Sequence, residues 1–367
     1  MRIGIDVRAL MEGKTTGVEV YIRGLLEALF RIDRVNEYLL FANSWGDIGS
    51  RIKIFQSPNV RYRISRIPNK LFVPLQKYLG IPNLQKFTGK LDVFFSPHWR
   101  VLNLDRSVPL VVTFHDLSPE ITPEFFTIRQ RLWHRFMDFR SAAKNASRII
   151  AVSESTKQDL LSVYNTPEDK VRVIYPGPGS IEASARNTED GPRGFFLCVA
   201  TSEPRKNLEG LLSAYELYVK RSLNPKTLFI AGSRGWLREP KVPDFIKSRV
   251  KFLHDITEDQ KTSLYRRAFA FLFLSFYEGF GFPVLEAAAT GLPVIMSRAA
   301  SLGEIGKSFG LFVNPFRPLQ VAEAMEGLET NKSFYRDYAD LSKQSGAKFS
   351  WETAARETLK TFEEVAS

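Results

Sequence analysis

Two glutamates with seven residues between them are the side chains of this sequence best placed to do chemistry. The segment runs Glu278-Gly-Phe-Gly-Phe-Pro-Val-Leu-Glu286 and joins a strand-like apolar run to a helical one. A strand, a glycine turn and a helix start present backbone N–H groups that can hold an anion or sugar hydroxyls. Gly279 and Gly281 let the backbone approach a ligand closely, and carboxylates accept hydrogen bonds from polyols. The alternative is a capped helix with a solvated Glu278, but Glu286 in an apolar segment is expensive to bury without a partner.

Strand-like and helical patterns alternate along the chain and predict the elements that position this turn. In the first half, where amphipathic segments separate them, the strand-like runs are residues 3–7, 108–114, 148–152 and 171–174. In the second half they are residues 195–199, 227–231, 250–253, 269–274 and 293–296. The predicted fold class is α/β, with two Rossmann-like, doubly wound parallel-sheet domains in tandem. Such sheets bind ligands at the carboxyl ends of their strands.

A segment rich in proline and glycine divides the chain. Residues 176–194 hold little apolar material and are predicted to link an N-terminal domain, residues 1–175, to a C-terminal domain, residues 195–346. The length of 367 residues agrees with two domains, since one core rarely serves so long a chain. The last segment, 347–367, has apolar or small residues at helical spacing and is predicted to be a terminal helix packing across the two halves.

Composition excludes several classes of protein. With 44% hydrophobic and 25% charged residues, the chain has the composition of a folded protein. The single cysteine, Cys198, excludes an intramolecular disulfide and a cysteine-cluster metal site, and indicates a reducing compartment. The first residues lack the apolar core of a signal peptide, and the longest apolar run, 268–277, is about half the roughly 20 residues of a spanning helix. We therefore expect no signal peptide and no membrane span.

Much of the net charge of +11 lies in residues 51–90, which contain nine lysines and arginines and neither aspartate nor glutamate. Aromatic and aliphatic residues interleave with these cations, a pattern typical of a monotopic contact with an anionic membrane surface. A second basic, aromatic stretch covers residues 125–140. The alternatives are a solvated face over an ordinary core and, although no recognisable nucleic-acid module is present, nucleic acid. The residues assigned to a membrane and acceptor surface are Arg61, Arg63, Arg66, Lys70 and Lys77.

The glutamate pair resembles that of the retaining glycosyltransferases of family four, which have the two-lobed GT-B fold. Further segments extend the resemblance along nearly the whole chain. Ser202-Glu-Pro-Arg-Lys-Asn-Leu208 resembles the family's basic donor-phosphate segment, and Thr113-Phe-His-Asp116 resembles the segment with the histidine of the N-terminal lobe. Gly17 with Tyr21 resembles the glycine loop and the helix after it, and the segment from Trp351 resembles the helix that packs back toward the N-terminal domain. The form Glu-Pro-Arg-Lys-Asn-Leu is most similar to that of mannosyltransferases of bacterial polysaccharide assembly. The resemblance implies transfer of a sugar from a nucleotide-sugar donor with retention of anomeric configuration.

The resemblance also implies roles for particular residues. Arg205 and Lys206 stabilise the charge that grows on the leaving diphosphate. Glu286 holds the ribose hydroxyls, and Glu278 faces the donor sugar or the diphosphate. The implied catalytic residues are His115, Arg205, Lys206 and Glu278. The predicted donor-binding residues are Gly17, Asp116, Ser202, Arg205, Lys206, Asp255, Glu278, Gly279, Phe280, Gly281, Phe282 and Glu286, of which Asp255 comes from the acids near the base and not from the resemblance.

Some of these roles compete with structural ones. In the resemblance, His115 reaches the donor sugar and Asp116 orients its ring, whereas a lone histidine often makes only a structural hydrogen bond. Arg205 and Lys206 would ordinarily be two surface cations at the start of a helix, where cations are unfavourable. The family match favours the functional role in both cases.

The predicted reaction needs neither a metal nor another cofactor. The sequence lacks an Asp-x-Asp motif, its four histidines show no paired metal spacing, and two cations supply positive charge. The family's mechanism resembles a front-side displacement, in which the acceptor hydroxyl attacks on the face that the diphosphate leaves and the leaving phosphate takes the proton. A double displacement would need a nucleophilic carboxylate under the anomeric carbon, and the sequence offers no dedicated candidate. Closure of the lobes about the linker would exclude water.

The donor base is predicted to bind near the loop after residues 250–253, where histidine, threonine and acids cluster. A carboxylate such as that of Asp255 can accept from the N1–H and amine of guanine, which uracil lacks. The acids are equally able to cap a helix beginning near Thr257. Together with the mannosyltransferase-like phosphate segment, this makes GDP-mannose the first-choice donor, and UDP-sugars are the closest alternative.

We call residues 51–90 the basic window. Its charge makes a lipid-linked saccharide the leading acceptor, in cell-surface polysaccharide or glycolipid biosynthesis. The predicted location is cytoplasmic and peripheral, on the inner face of the plasma membrane, and nucleic acid is not an expected partner. Two other functions stay open. A nucleotide-sugar 2-epimerase would release epimerised sugar without an acceptor. A non-catalytic membrane-binding module would lack donor chemistry, against which the joint presence of Glu278, Glu286, Arg205 and Lys206 argues.

Overall fold

The computed structural model describes residues 1–12, 16–44, 55–100, 102–179, 194–233, 239–346 and 348–367. The chain divides into two compact units. The first contains Met1–Gly177 together with Ser350–Ser367, and the second contains Pro178–Phe349. The boundary lies two residues beyond the predicted end of the first domain, and residues 180–193 of the predicted linker are outside the described residues.

The first unit contains a seven-stranded parallel sheet with helices between the strands. Its strands are Arg2–Asp6 (β1), Glu37–Asn43 (β2), Val60–Ser65 (β3), Val93–Ser96 (β4), Leu110–Phe114 (β5), Arg148–Ala151 (β6) and Val171–Val173 (β7). Its α-helices before the boundary are Gly17–Ile32 (α1), Asn69–Pro74 (α2), Gln85–Thr88 (α3), Ser118–Ile121 (α4), Ile128–Met137 (α5), Phe139–Asn145 (α6) and Glu154–Tyr164 (α7). The segment Leu75–Leu79 is π-helical, and short 3-10 helices are Arg8–Glu12, Pro123–Phe125 and Glu168–Lys170. The sheet order is β3-β2-β1-β4-β5-β6-β7.

The second unit contains a six-stranded parallel sheet. Its strands are Phe195–Val199 (β8), Thr227–Ala231 (β9), Val250–Leu253 (β10), Ala270–Phe273 (β11), Val294–Met296 (β12) and Gly310–Phe312 (β13). Its α-helices are Leu208–Arg221 (α8), Glu258–Arg267 (α9), Phe282–Ala289 (α10), Leu302–Ile305 (α11), Pro318–Thr330 (α12) and Lys332–Gly346 (α13), and its 3-10 helices are Pro204–Lys206 and Asp244–Arg249. The sheet order is β10-β9-β8-β11-β12-β13. The predicted pair of doubly wound parallel-sheet domains is confirmed.

The C-terminal helix Trp351–Ala366 (α14) belongs to the first unit and packs against α1. Two glycines make room for its first residue, because an added Cβ would lie 2.3 Å from the Trp351 ring at Gly24 and 2.6 Å from it at Gly177. Farther along α14, the buried ring of Phe362 lies 5.1 Å from that of Phe95 on β4. These contacts anchor α14 on the N-terminal sheet.

Each sheet reverses its strand order once, between β1 and β4 in the first unit and between β8 and β11 in the second. At such a reversal, successive loops leave in opposite directions and open a crevice at the carboxyl ends of the strands. All residues of β11 and β12 are buried and apolar, which is typical of a parallel sheet covered on both faces. The loops after β8 and β11 carry the predicted phosphate segment and the glutamate turn, so the fold brings these two motifs together at one edge. In the described part of the chain, no helix has both the length and the apolar character required to span a bilayer.

Candidate functional site

The loop after β8 carries Arg205 and Lys206 in the 3-10 turn Pro204–Lys206. Asn207 ends this turn with a left-handed backbone, φ 54°, which asparagine tolerates. Its side chain then caps α8 by accepting a hydrogen bond from the Gly210 amide at 3.2 Å. The Arg205 carbonyl accepts from the Phe276 amide at 2.8 Å and so joins this loop to the one after β11. Both cations are therefore held on a fixed backbone.

Glu278 lies between these two cations. Its Oε2 is 2.8 Å from Arg205 Nη1, and its Oε1 is 2.5 Å from Lys206 Nζ. The residue is only 6% exposed. Burial by itself would raise the pKa of Glu278, but the charges of Arg205 and Lys206 outweigh burial and lower the pKa to about 2. The carboxylate is therefore fully ionised at neutral pH.

A second carboxylate, Glu203, lies beside Arg205. Its Oε2 is 3.3 Å from Arg205 Nη2, and burial raises the pKa of Glu203 although the two cations partly oppose this. We call Glu203, Arg205, Lys206 and Glu278 the ion cluster. Its formal charges balance when both carboxyl groups are ionised. Sequence analysis missed Glu203, although it lies within the predicted phosphate segment next to buried Ser202.

The glycine turn after Glu278 is held by its neighbours. Gly281 has φ 102°, and a Cβ there would lie 2.8 Å from Leu302 Cδ2, so the position requires glycine. The hydroxyl of buried Ser301 lies 2.8 Å from the Glu278 carbonyl and 3.1 Å from that of Phe280. Gly279 and Phe280 are buried, and helix α10 begins directly after the turn at Phe282. The amides predicted to support a ligand thus lie in one packed turn at the carboxyl edge of β11.

Glu286 lies inside α10 and is 2% exposed. Its Oε1 is 3.1 Å from Lys261 Nζ, and the same ammonium is 2.8 Å from Glu258 Oε2. Burial raises the pKa of Glu286, and Lys261 offsets this only in part. Sequence analysis missed Lys261 because the polar pattern of α9 does not distinguish it from a solvated lysine. Glu286 is therefore a buried carboxylate with one cationic partner that is shared.

Gly179, the second residue of the second unit, packs against the Glu286 carboxylate. A Cβ at Gly179 would lie 1.9 Å from Glu286 Oε1, closer than atoms can approach. The sequence shows Gly179 only as one of several glycines in the predicted linker, with no sign of this contact. The absence of a side chain at residue 179 therefore makes room for the carboxylate.

The loop predicted to bind the base is partly structural. Asp255 is exposed and has a left-handed backbone, φ 51°. The helix cap is a box formed by Thr257 and Gln260, in which each side chain bonds the other's backbone amide at 2.9 to 3.2 Å. Glu258 bonds Lys261 instead. Thr257, and not one of the acids, therefore caps the helix. The Asp255 carboxylate is exposed just before the helix begins.

In the first unit, His115 follows β5 and its ring is oriented by a backbone carbonyl. Its Nε2 is 2.9 Å from the Pro97 oxygen, and the Tyr21 ring meets it edge-on at 4.8 Å. Burial lowers the pKa of His115, so the ring is neutral at neutral pH. Because a carbonyl only accepts, Nε2 carries the proton and Nδ1 is an acceptor.

Two other predicted residues of this unit have structural contacts. The Asp116 carboxylate accepts from the Ser118 amide at 2.9 Å and from the Ser118 hydroxyl at 2.6 Å, so it bonds the start of α4 and does not orient the His115 ring. Gly17 is the first residue of α1, where Thr16 caps the helix by accepting from the Glu19 amide. Residues 13–15 of the predicted glycine loop are outside the described residues.

The predicted membrane residues are spread over several elements. Arg61 and Arg63 lie on the edge strand β3 and donate to nearby backbone carbonyls. Arg66 is exposed after that strand, and Lys77 donates to the Phe136 carbonyl. Lys70 lies in α2, but its side chain, like residues 51–54 of the window, is outside the described part. Nor does any group of three or more metal-ligating side chains occur among the residues described.

Comparisons with known proteins agree with this geometry. The family described as Glycosyltransferase Family 4 matches residues 15–178, and Glycosyl transferases group 1 matches residues 180–345. The chain is 29% identical over 286 residues to O-antigen chain mannosyltransferase B of Escherichia coli, which covers 73% of this chain and 72% of the relative. It is 26% identical over 274 residues to O-antigen chain mannosyltransferase RfbU of Salmonella typhimurium, with 73% of both chains covered.

A solved structure shows the same fold. Sucrose-phosphate synthase from Thermosynechococcus elongatus superimposes with a TM-score of 0.78 at 19% identity, covering 100% of this chain and 99% of the other. The two family matches meet at the boundary between the units, and the glutamate turn lies within the second match. The chain belongs to glycosyltransferase family 4 and has the GT-B fold.

Proposed function

We propose that this glycosyltransferase moves mannose from GDP-mannose to a saccharide acceptor with retention of anomeric configuration. The observation that carries the proposal is the position of Glu278 between Arg205 and Lys206, at the carboxyl edge where the strand order reverses. Mannose as the sugar is supported by the two bacterial relatives, which are mannosyltransferases. The relatives' function in O-antigen synthesis supports a polysaccharide or glycolipid acceptor for this chain.

Arg205 and Lys206 of the ion cluster supply the positive charge that diphosphate departure needs. As the bond between the anomeric carbon and the phosphate oxygen breaks, negative charge grows on the diphosphate, and positioned cations stabilise it. Arg205 and Lys206 are already fixed in place by Glu278, so little reorganisation is required when the donor binds. The acceptor hydroxyl forms the new bond on the same face, and its proton passes to the leaving phosphate. The proposed step uses no metal or other cofactor.

Glu286 and Asp255 are assigned to the nucleoside. Glu286, as a carboxylate, accepts from the two ribose hydroxyls, and Lys261 favours its ionised form against burial. Asp255 presents an exposed carboxylate, able to accept from the N1–H and amine of guanine. The assignment of His115 to the donor sugar rests on the family resemblance and on its neutral ring, whose Nδ1 can accept a hydrogen bond from a sugar hydroxyl.

The acceptor is proposed to be lipid-linked, with the protein peripheral on the cytoplasmic face of the plasma membrane. Support comes from the basic window, which holds nine cations and no acid over residues 51–90. An anionic surface attracts such a segment by about 1 kcal/mol for each cation near it. The enzyme would therefore be concentrated at the membrane surface, where a lipid-linked acceptor lies.

Calorimetry of GDP, UDP and ADP binding without added metal tests the donor assignment. Wild-type protein is expected to prefer GDP, and Arg205→Ala and Glu286→Ala are each expected to lose that binding. Arg221→Ala is the matched control, because Arg221 forms an ion pair with Glu326 on the outside of the same unit. A preference for UDP would change the assigned donor from GDP-mannose to a UDP-sugar. Absence of any nucleotide binding would refute the proposed transferase site.

The stereochemistry needs a separate measurement. NMR of the product formed from GDP-α-mannose and a synthetic lipid-linked saccharide should show an α-linkage. A β-linked product would overturn the retaining mechanism, and free epimerised sugar released without acceptor would identify a 2-epimerase.

A further inference from the structure

Two segments of the first unit expose large apolar side chains. In the first, around the π-helix Leu75–Leu79, the exposed residues are Leu71, Tyr78, Leu79 and Ile81. Tyr78 is 70% exposed. Burial of these side chains against a partner would be favourable, since each removes apolar area from water. A cluster of this kind marks an interaction surface more often than a single exposed residue does.

The second segment is helix α5, Ile128–Met137, of which only Met137 is buried. Ile128 and Leu132 are one turn apart and are 75% and 63% exposed, and Trp133 beside them is 49% exposed. The rings of Trp133 and Trp99 have centroids 5.9 Å apart, so the half-exposed Trp133 is also held against the unit. A helix with so little burial in its own unit lacks the packing that usually stabilises a short helix.

The two segments meet in one surface. The rings of Tyr78 and Phe136 are 6.1 Å apart, and the Lys77 ammonium lies 4.5 Å from the centre of the Phe136 ring. Lys77 also donates to the Phe136 carbonyl. We call the exposed side chains of residues 71–81 and 128–133 the apolar face. Its two halves are neighbours within the same unit.

The charged side chains within the two segments of the apolar face are all basic, and the acids Glu124 and Asp138 flank the second segment in sequence. Arg129, Arg131 and Arg135 are exposed on α5, and Lys77 lies between the segments. Residues 125–137 contain no acid, and neither do residues 51–90. Asp138, which directly follows α5, bonds the Ser141 amide and hydroxyl. A surface that combines exposed leucine, isoleucine and tryptophan with arginine and lysine complements an anionic bilayer, where the rings and alkyl chains enter the interface and the cations meet phosphates.

We propose that the apolar face is the part of this protein that inserts into an anionic phospholipid surface. The proposal rests on the membrane-linked acceptor of the proposed function for its role, and it moves the contact from the arginines of β3 to the two helical segments. Arg61 and Arg63 on β3 donate to local carbonyls and have beside them only one large exposed apolar side chain of that strand, Ile64. Nucleic acid would satisfy the cations but leave the apolar side chains in water.

Flotation with vesicles of equimolar phosphatidylglycerol and phosphatidylcholine tests the proposal on the full chain. Wild type is expected to float with these vesicles and not with phosphatidylcholine alone. The double variant Leu132→Ser, Trp133→Ser should bind at least about tenfold more weakly, because two apolar side chains no longer enter the interface. Leu223→Ser is the matched control, since Leu223 is fully exposed in the second unit, and it should bind as wild type does. Arg61→Gln, Arg63→Gln should lose less than the α5 variant.

Fluorescence gives an independent readout. Vesicles should shift the wild-type tryptophan emission to shorter wavelength, and Trp133→Phe should remove most of that shift while keeping vesicle binding. Equal binding by the α5 variant and wild type, loss confined to the β3 variant, or dimerisation through α5 detected by light scattering would each overturn the proposal. GDP binding is measured on every variant, so failure of the membrane contact with GDP binding intact is distinguishable from failure of the proposed transferase function.

Discussion

Glu278 and Glu286 are both buried, eight positions apart, yet they differ in how their charge is supported. Glu278 contacts two cations, of which Arg205 also pairs with Glu203, and the charges of both overcome burial and lower the pKa of Glu278 to about 2. Glu286 has one lysine that also serves Glu258, and burial raises its pKa. The comparison shows that burial alone does not set the state of a carboxylate; the number of cations it holds does. Glu278 is suited to fix two cations permanently, and Glu286 to accept hydrogen bonds from hydroxyl groups.

The strongest test of this comparison removes one of the two cations beside Glu278. Arg205→Met should lower kcat/KM by about a thousandfold, because a positioned cation no longer stabilises the leaving diphosphate. The same change leaves Glu278 with Lys206 alone, so its support resembles that of Glu286. Steady-state kinetics with GDP-mannose measure the loss.

Arg221→Met, in the surface pair with Glu326, is the control for this substitution and should keep wild-type kcat/KM. A loss of less than about tenfold in Arg205→Met, with the fold intact by circular dichroism, would contradict the assignment of Arg205 to the diphosphate.

The pH dependence of stability separates the two glutamates. The depressed pKa of Glu278 stabilises the fold above its unfolded value near 4.5 and loses this contribution as pH falls through about 2. The difference amounts to about 3 kcal/mol. Urea titrations at several pH values should show a steep acid limb in wild type and a shallower one in Glu278→Gln. For Glu286, whose pKa is raised, the sign is opposite: its contribution is present below pH 4.5 and is lost as pH rises through its folded pKa.

Glu209→Gln, an exposed glutamate on α8, is the control and should keep the wild-type acid limb. If Glu278→Gln and Glu286→Gln changed the pH profile in the same direction, the contrast between the two carboxylates would be refuted.

Local signals in the sequence were enough to predict the outline of the fold and of the glutamate turn. Strand ends were within about two residues for β8 to β12, because buried parallel strands are continuous apolar runs. The predicted strands omitted β2, β3, β4 and β13. In β3, arginines alternate with apolar residues, and the same pattern favoured a membrane surface; β13 has only three residues, too few for a pattern.

The parts of the site that escaped prediction depend on contacts between distant segments. Lys261 meets Glu286 only because α9 and α10 lie side by side, and Gly179 meets it from residues far earlier in the chain. Glu203 is close to Arg205 in sequence, but its burial follows from the packing of the loop. Asp116 was predicted to orient the His115 ring, whereas in the folded loop its carboxylate bonds Ser118. Periodicity predicts elements; pairings across elements require the tertiary structure.

Gly179→Ala tests whether the contact between residue 179 and the Glu286 carboxylate positions that carboxylate. The added methyl group would overlap Glu286 Oε1 unless one of them moves, and a displacement of about 1 Å at a binding group can cost a hundredfold. We therefore expect kcat/KM to fall about a hundredfold and GDP affinity to fall with it. The ion pairs of Glu278 with Arg205 and Lys206 should be unaffected. Gly177→Ala is the control, because its methyl group would meet Trp351 in the first unit and leave GDP affinity unchanged. GDP affinity within twofold of wild type in Gly179→Ala would show that this contact does not position Glu286.

Lys261→Met is expected to have the smallest effect and to be the most specific test. Without the ammonium, burial of Glu286 is opposed less, so its pKa rises further. A protonated carboxyl accepts fewer hydrogen bonds from ribose hydroxyls, so GDP affinity should fall about tenfold where the carboxyl is protonated and recover as pH rises. Calorimetry over a series of pH values measures this dependence, which should lie at higher pH in the variant than in wild type. Glu258→Gln removes the other partner of Lys261 but keeps the Glu286 pair, and should bind GDP as wild type does. A Lys261→Met profile parallel to wild type at every pH would mean that Glu286 keeps its charge without a cation, and the physical distinction between the two glutamates would then lie elsewhere than in their cationic partners.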